Sequence, residues 1–173
     1  MKPKNIKFYI TASVLIMLII TIIVIRNYVF EIAVTSGASM ESTIMQGDHI
    51  LINRLAYRSQ VPEKGDIIAV KIGWVMMVKR VLGVPGDVIE LKNGLLYYNG
   101  KLIEHEKRPI PSANKSKQRS FKPMMVWDKH LFVIGDNREH SIDSRDFGII
   151  PYKDIMGKVV MIYYPYARIR KLS

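Results

Sequence analysis

One serine of this chain lies where it could act as a nucleophile. Ser39 is in segment 36–43, a small, polar, glycine-containing stretch that predicts a turn. A serine hydroxyl is a weak nucleophile, and it becomes an effective one when a neighbouring base accepts its proton. The function of the turn therefore depends on which residue could be that base.

Lys79 is one candidate, because it lies inside the apolar segment 74–82, which predicts a strand. Side chains alternate along a strand, so Lys79 and Arg80 point to opposite faces. Burial lowers the pKa of a lysine, and a fall from about 10.4 to about 8 raises the neutral fraction at pH 7 from roughly 0.04% to roughly 10%. The alternative interpretation is structural: a lysine that reaches solvent at a sheet edge or pairs with a carboxylate.

Histidine offers a second kind of base, and a Ser–His–Asp triad that uses His140 stays open. The four histidines form no pair at metal-ligand spacing, so the sequence predicts no metal site. The chain has no cysteine, which excludes disulfides, thiolate nucleophiles and cysteine-bound metals. No cofactor is predicted.

A membrane anchor is predicted just before the turn. Segment 8–25 is an uninterrupted apolar run without charge, and as a helix it would span about 27 Å, close to the hydrocarbon thickness. Lys2, Lys4 and Lys7 precede it and Arg26 follows, so the positive-inside rule places the N-terminus in the cytoplasm. The alternative is a cleaved signal peptide, although no A-x-A cleavage signal follows. The predicted organisation is 1–7 cytoplasmic, 8–26 transmembrane and 27–173 extracytoplasmic.

The predicted extracytoplasmic region has short strand-forming segments separated by turn residues. These segments are 28–35, 49–55, 67–70, 74–82, 88–92, 95–98, 101–103, 127–134 and 157–164. Asn-Gly pairs at 93–94 and 99–100 predict hairpins, and the short connections favour antiparallel pairing. We therefore expect a mainly β fold, an antiparallel sheet domain behind one transmembrane helix. Segment 104–123, rich in Lys, Arg and Pro, predicts a flexible basic loop.

The formal net charge of +11 indicates an anionic partner. Nucleic acid and an anionic membrane surface both satisfy that condition. The predicted anchor favours the membrane lipid, so no nucleic-acid partner is expected.

Several groups of residues occur in an order that resembles a known family. They are Ser39-Met40 with Thr43, then Gly47-Asp48, then Lys79-Arg80-Val81-x-Gly83-x-Pro85-Gly86-Asp87, and then Gly135-Asp136-Asn137-Arg138-x-x-Ser141-x-Asp143-Ser144-Arg145-x-Phe147-Gly148. Together they resemble the motifs of bacterial type I signal peptidases, in the compact Gram-positive form. The resemblance implies a membrane-bound serine endopeptidase with an all-β catalytic domain. Such an enzyme removes signal peptides from exported preproteins at the outer face of the cytoplasmic membrane, and so works with the export machinery indirectly.

The resemblance also implies roles for individual residues. Ser39 matches the nucleophile, Lys79 the general base, and Ser141 a serine whose hydroxyl orients the lysine. The remaining matches are a structural ion pair, Asp143 with Arg145, and two residues of the same loop, Asp136 and Asn137. The backbone N–H of Ser39 would stabilise the oxyanion. Shallow apolar pockets for small substrate side chains are expected around Gly37, Met40, Ile44, Met77 and Val78.

Two positions depart from the family pattern. Ser42 stands where the family commonly has proline, and we expect a side-chain turn bond and a modest loss of rigidity there. Gly37 stands where some members have a serine hydroxyl as the second oxyanion donor. That donor stays open between a backbone amide, a water molecule and Ser36.

Two other functions stay open from the sequence. The first is a Ser–Lys protease dedicated to a pilin or conjugation-type precursor. The second is a non-catalytic, membrane-anchored basic β domain.

Overall fold

The structure, a computed structural model, describes residues 6–103 and 120–172. Within that part of the chain, one helix is long and apolar enough to cross a membrane: α1, Ile6–Val24, which has no buried residue. A π-helical turn, Ile25–Val29, connects it to the first strand. The helix overlaps the predicted anchor at 8–26.

The rest of the described chain is mainly antiparallel β-sheet, which confirms the predicted fold class. In chain order the strands are β1 Phe30–Val34, β2 His49–Asn53, β3 Ile67–Ile72, β4 Val75–Gly83, β5 Val88–Lys92, β6 Leu95–Tyr98, β7 Lys101–Leu102, β8 Phe121–Met125, β9 His130–Ile134, β10 Ile150–Pro151, β11 Ile155–Tyr164 and β12 Arg170–Lys171. The larger sheet has the order β1-β2-β11-β3-β4-β9-β10, with β12 also paired to β11, and the smaller has the order β7-β6-β5-β8.

The two Asn-Gly pairs form the predicted hairpins. Asn93 and Asn99 adopt φ angles of 53° and 48°, and the glycine after each has a φ of 77°. Positive φ at both central positions is the geometry that Asn-Gly favours in two-residue hairpin loops. The β5–β6 and β6–β7 pairs follow from these turns.

Some boundaries differ from the prediction. The strand predicted from Trp127 begins only at His130, because Trp127 lies exposed in the preceding turn. β8 begins at Phe121, inside the predicted loop 104–123, and residues 104–119 of that loop lie outside the described residues. A one-turn helix, α2 (Ser144–Phe147), was not predicted, because four residues are too few to show a helical period.

Strands that are not neighbours in the larger sheet surround one apolar interior, since Ala33 of β1 and Val78 of β4 pack against the same buried cluster. β1 and β4 are not neighbours, yet residues of both line the same cleft. Met40 and Ile44, from the turn after Ser39, are buried in that interior. They pack with Ile50, Ile52, Ile67, Ala69, Val159, Ile162 and Leu172. Burying Met40 and Ile44 contributes about 1.5–3 kcal/mol each, so the core holds the turn in place.

Candidate active site

Ser39 and Lys79 lie side by side at the bottom of the cleft. The Lys79 Nζ atom is 2.8 Å from the Ser39 Oγ atom. Lys79 lies in β4, between β3 and β9, and only 2% of it is exposed. Lys79 is therefore neither an edge-strand lysine that reaches solvent nor a lysine paired with a carboxylate, because β4 is a central strand and Lys79 forms no ion pair within the described chain.

Burial lowers the pKa of Lys79, since the interior solvates the ammonium poorly. The Asp143 carboxylate opposes this effect, the Arg145 guanidinium adds to it, and the net direction is downward. The neutral amine, which can accept a proton, is therefore more populated than in an exposed lysine.

The Ser39 turn, residues 35–48, is closed at its base by backbone hydrogen bonds. The Thr35 N–H donates to the Asp48 carbonyl at 2.9 Å, and the Gly47 N–H donates to the Thr35 carbonyl at 2.8 Å. The Ser39 carbonyl accepts the Asn137 N–H at 3.0 Å. The Ser39 N–H donates to no acceptor among the described residues, so it is available to a group in the cleft.

The site loop, residues 135–148, approaches the Ser39 turn most closely at Gly135. A Cβ atom on Gly135 would overlap the Ser39 carbonyl oxygen and the Ser141 hydroxyl, so only glycine fits without movement. The Gly135 N–H donates to Asp143 Oδ2 at 3.0 Å. The sequence indicated a break at Gly135, but it contained no signal for this close approach.

Asp143 and Arg145 form a buried ion pair under the site loop. Arg145 Nε and Nη2 each donate to an Asp143 oxygen at 2.8 Å, and both side chains are at most 1% exposed. Burial alone would raise the pKa of Asp143, but the Arg145 guanidinium holds it below its usual range. Asp143 also caps α2 by accepting the Arg145 N–H. The ion pair implied by the resemblance is therefore present, and its role in catalysis stays a prediction.

Asp136 connects the Ser39 turn to the strand that carries Lys79. It accepts the Thr43 hydroxyl at 2.5 Å and two Arg80 hydrogen bonds at 2.8 and 2.7 Å. Burial alone would raise the pKa of Asp136, but its bonds to Arg80 and Thr43 hold it below the usual range. The sequence placed Asp136 near the site, whereas its partners Thr43 and Arg80 had no assigned role.

Ser141 and His140 lie near the site, but Ser141 does not bond to Lys79 and His140 does not bond to Ser39. The Ser141 Oγ atom is buried beside Gly135, and the expected hydrogen bond from Ser141 to Lys79 is not formed. Its orienting role stays a prediction. His140 lines the cleft, and its Nδ1 atom is 3.3 Å from the Asn137 amide oxygen. Ser39 contacts Lys79 instead, so the structure does not favour a triad through His140.

The cleft has a volume of about 340 Å³ and lies between two extended segments, 33–38 and 75–78. The five residues predicted to bind substrate all line it: Gly37, Met40, Ile44, Met77 and Val78. Ser36, a candidate for the second oxyanion donor, lines it as well. In residues 6–103 and 120–172, no group of three or more side chains could hold a metal ion.

Ser42 adopts a φ of 83°, which is a left-handed conformation. A proline, whose ring fixes φ near about −65°, could not adopt it. The expected side-chain turn bond is not formed within the described chain, which corrects the sequence prediction. The turn therefore has its own backbone geometry at this position.

Sequence comparisons bear on the family of this chain. Residues 7–164 match the family model described as "Signal peptidase, peptidase S26". The chain is 33% identical to "Signal peptidase I S" of Bacillus subtilis (strain 168), covering 94% of this chain and 92% of that protein. It is 34% identical to "Signal peptidase I" of Bacillus amyloliquefaciens, covering 92% and 90%. A crystal structure of a signal peptidase I from Enterococcus faecalis V583 aligns with a TM-score of 0.43 at 27% identity, covering 58% of this chain and 97% of that one.

An antiparallel β domain behind an apolar N-terminal helix, with a serine and a buried lysine in its cleft, has the features of a membrane-anchored peptidase. More particularly, the chain belongs to the peptidase S26 family of signal peptidases, because the family model covers most of its length.

Proposed function

We propose that this protein is a membrane-bound serine endopeptidase that removes N-terminal signal peptides from exported preproteins, with Ser39 as nucleophile and Lys79 as general base. The observation that carries the proposal is the 2.8 Å contact between Lys79 Nζ and Ser39 Oγ, formed by a lysine that is almost fully buried. The relatives named signal peptidase I support the choice of substrate.

The reaction follows from the properties of this pair. The neutral Lys79 amine accepts the Ser39 proton while Oγ attacks the scissile carbonyl carbon. The Lys79 ammonium then gives that proton to the departing amine of the mature protein, and an ester joins the signal peptide to Ser39. Lys79 next takes a proton from a water molecule as the water oxygen attacks the ester carbonyl carbon, and the Lys79 ammonium returns that proton to Ser39 Oγ as the ester bond breaks. The signal peptide leaves as a carboxylic acid, which loses its proton to solvent, and Ser39 and neutral Lys79 are restored.

The Ser39 N–H is the proposed donor to the oxyanion of both tetrahedral intermediates. It belongs to the nucleophile itself and is not used by the protein in the described structure. The Glu41 N–H donates to the Ala38 carbonyl at 3.1 Å, which restrains the Ala38–Ser39 peptide group that carries this donor. Donors that are already oriented need little reorganisation when negative charge develops.

The substrate is expected to bind as an extended chain between segments 33–38 and 75–78. Extended peptides add to exposed β segments through main-chain bonds, while pockets for alternate side chains give specificity. Met40, Ile44, Met77 and Val78 line the cleft with apolar side chains, of which Met40 and Ile44 are at most 3% exposed, and such a surface suits small side chains near the cut. Gly37 has open space where a Cβ would be, which leaves room for the substrate backbone.

The proposed topology has residues 1–7 in the cytoplasm, 8–26 in the membrane and 27–173 outside. The lysines before the apolar run support this orientation. Anionic lipid is the proposed partner of the basic surface, because each Lys or Arg near such a membrane contributes about 1 kcal/mol. Contact with the export machinery would be indirect, through shared preproteins.

Cleavage of a purified preprotein by the full-length chain in detergent tests the proposal. We expect wild type to release the mature protein, and Ser39→Ala and Lys79→Ala each to reduce kcat by at least about 10⁴-fold. Ser42→Ala, in the same turn, and Lys92→Ala, on an exposed strand position, are matched controls that should retain activity. Full activity in either the Ser39 or the Lys79 variant would contradict the dyad.

The relatives do not favour the two alternatives. A protease dedicated to a pilin or conjugation-type precursor would keep the same site, and cleavage of the whole exported proteome would separate it from a general enzyme. A non-catalytic basic domain would show salt-sensitive binding without turnover, and it would leave the burial of Lys79 beside Ser39 without a purpose.

A further inference from the structure

The C-terminal strap, residues 165–172, lies against the Ser39 turn. The match to the family model covers residues 7–164, so the strap lies beyond it. The strap consists of a 3₁₀ turn, Tyr166–Arg168, and then β12, which pairs with β11. Three of its side chains contact the Ser39 turn or pack with its buried residues.

Arg168 makes the first contact, an ion pair with Asp48 at the end of the Ser39 turn. Arg168 Nε and Nη2 are 2.8 and 2.6 Å from Asp48 Oδ1, and Asp48 is completely buried. The other carboxylate oxygen accepts the Met45 N–H at 2.8 Å. Arg168 therefore fixes the carboxylate that in turn fixes the backbone of the turn.

Arg170 makes the second contact by donating from Nη2 to the Thr43 carbonyl. Thr43 is also held by its hydroxyl, which donates to Asp136 in the site loop. The backbone four residues after Ser39 is thus held from two directions, by the strap and by the site loop.

Leu172 makes the third contact through packing. Its side chain is only 9% exposed and belongs to the same apolar cluster as Met40 and Ile44. Its N–H donates to the Val160 carbonyl at 2.9 Å, which anchors the end of the strap on β11. Met40 directly follows Ser39, so the strap completes the core on which the nucleophile rests.

The local structure of the turn explains why such support matters. Ser42 has no conformational restriction from a proline ring and sits at a φ of 83° without a side-chain bond within the described chain. Only two short-range bonds, from Thr43 N–H and Ile44 N–H to the Met40 carbonyl, hold residues 40–44 together. External contacts therefore restrict the position of Ser39.

We propose that Arg168 and Arg170 are positioning residues, which hold the Ser39 turn so that Ser39 Oγ stays within hydrogen-bond distance of Lys79 Nζ. The proposal rests on the proposed function of that pair. Neither arginine lines the cleft, so the strap acts through the turn and not on the substrate. A misplacement of about 1 Å at a reacting group can reduce a rate about 100-fold, which sets the scale of the effect.

Kinetics of the full-length protein in detergent test the proposal with Arg168→Ala, Arg168→Lys and Arg170→Ala. We expect kcat to fall about 10- to 100-fold in both alanine variants, with KM unchanged within about twofold, and Arg168→Lys to recover part of the loss. Lys171→Ala is the matched control, since it removes an exposed cation from the same strand. It should behave as wild type. Assays are run well below each variant's unfolding temperature.

Hydrogen exchange of the backbone provides a readout that does not need activity. The amides of Ile44, Gly47 and Asp48, all bonded within the Ser39 turn, should exchange at least about tenfold faster in the Arg168 and Arg170 alanine variants than in Lys171→Ala. If Arg168→Ala fails to fold because it leaves the buried Asp48 carboxylate unpaired, Arg170→Ala still tests the proposal, because it removes only a bond to the Thr43 carbonyl.

Two results would overturn the strap proposal: wild-type kcat in folded alanine variants, or unchanged exchange in the turn. Failure of the proposed function looks different, because wild type itself would then not cleave preproteins. In that case the exchange data still decide whether the strap positions the turn.

Discussion

The burial of the single residue Lys79 has opposite effects on stability and on activity. A buried lysine lowers stability because its ammonium loses hydration, while the same loss makes the amine a better base at neutral pH. An apolar residue would suit this central strand position better for folding alone. The burial of Lys79 is therefore best explained by its contact with Ser39.

Lys79→Met should be inactive and more stable than wild type at pH 7, by about 0.5–2 kcal/mol. The folded-state pKa of Lys79 is lowered. The unfolded state therefore binds more protons, and wild-type stability rises as pH increases from that lowered pKa toward the unfolded value of about 10.4. Denaturant unfolding should therefore show that the stability difference between Lys79→Met and wild type becomes smaller as the pH rises over this interval. A variant less stable than wild type at pH 7 would contradict this interpretation.

Ser42 gives a second test at the residue scale. Ser42→Gly should relieve about 1–2 kcal/mol of backbone strain, because glycine adopts the left-handed conformation without a steric penalty. The greater conformational entropy of glycine in the unfolded chain should cost about 0.5–1 kcal/mol, so we expect a small net gain in the free energy of unfolding. Proline cannot adopt the φ of 83° and should destabilise the protein by more than about 1 kcal/mol while slowing cleavage. Thermal unfolding and kcat measurements check both. A more stable, fully active Ser42→Pro variant would show that the turn has another conformation.

The site loop and the Ser39 turn are the two elements that meet at Gly135, and their backbones lie too close there for a side chain. Gly135→Ala should cost about 1–3 kcal/mol of stability, because the new Cβ overlaps the Ser39 carbonyl and the Ser141 hydroxyl. It should also reduce kcat at least about 100-fold through displacement of the nucleophile.

Gly37→Ala serves as the control for stability in this experiment, since its Cβ would meet nothing within 4 Å. Equal stability of the two alanine variants would indicate that the loop and the turn are further apart than the structure places them.

Most strands and both hairpins were predictable because their signals are local, whereas β8, β10 and β12 were not predicted. Alternation along β4 predicted opposite directions for Lys79 and Arg80, and the structure has Lys79 on Ser39 and Arg80 on Asp136. The contacts that assemble the site are not local: Thr43 to Asp136 spans 93 residues of sequence, and Arg168 to Asp48 spans 120. No periodicity or turn signal encodes such pairs.

Other differences have equally physical causes. α2 was missed because a single capped turn has no detectable period. The side-chain turn bond expected of Ser42 is not formed within the described chain, because the backbone φ of 83°, which sequence does not specify, is what distinguishes this position from proline. The Ser141 contact expected from the resemblance depends on the orientation of a hydroxyl beside Gly135, which sequence does not specify.

The arrangement of the whole molecule places the cleft a short distance along the chain from the anchor. Only the π-helical turn and β1 separate α1 from the Ser39 turn. With α1 as the proposed anchor, this short connection keeps the cleft close to the membrane. The proposed orientation, with the β domain outside, follows from the lysines before α1.

Single cysteines can test this topology directly, because the natural chain has none. Ser59→Cys, at an exposed position of the β domain, should react with a membrane-impermeant thiol reagent in intact cells. Lys4→Cys should react only after the membrane is permeabilised. The reverse labelling pattern would contradict the proposed orientation.

The central claim, that neutral Lys79 activates Ser39, is tested most directly by the pH dependence of kcat/KM for preprotein cleavage. We expect a rate that rises with pH and levels off above a pKa lower than the ordinary lysine value of about 10.4, because only the free amine accepts the proton. The pKa values of Asp136 and Asp143 are held below their usual range, so these carboxylates stay charged throughout. A flat profile between pH 6 and 9, in protein that stays folded over that range, would contradict Lys79 as the base.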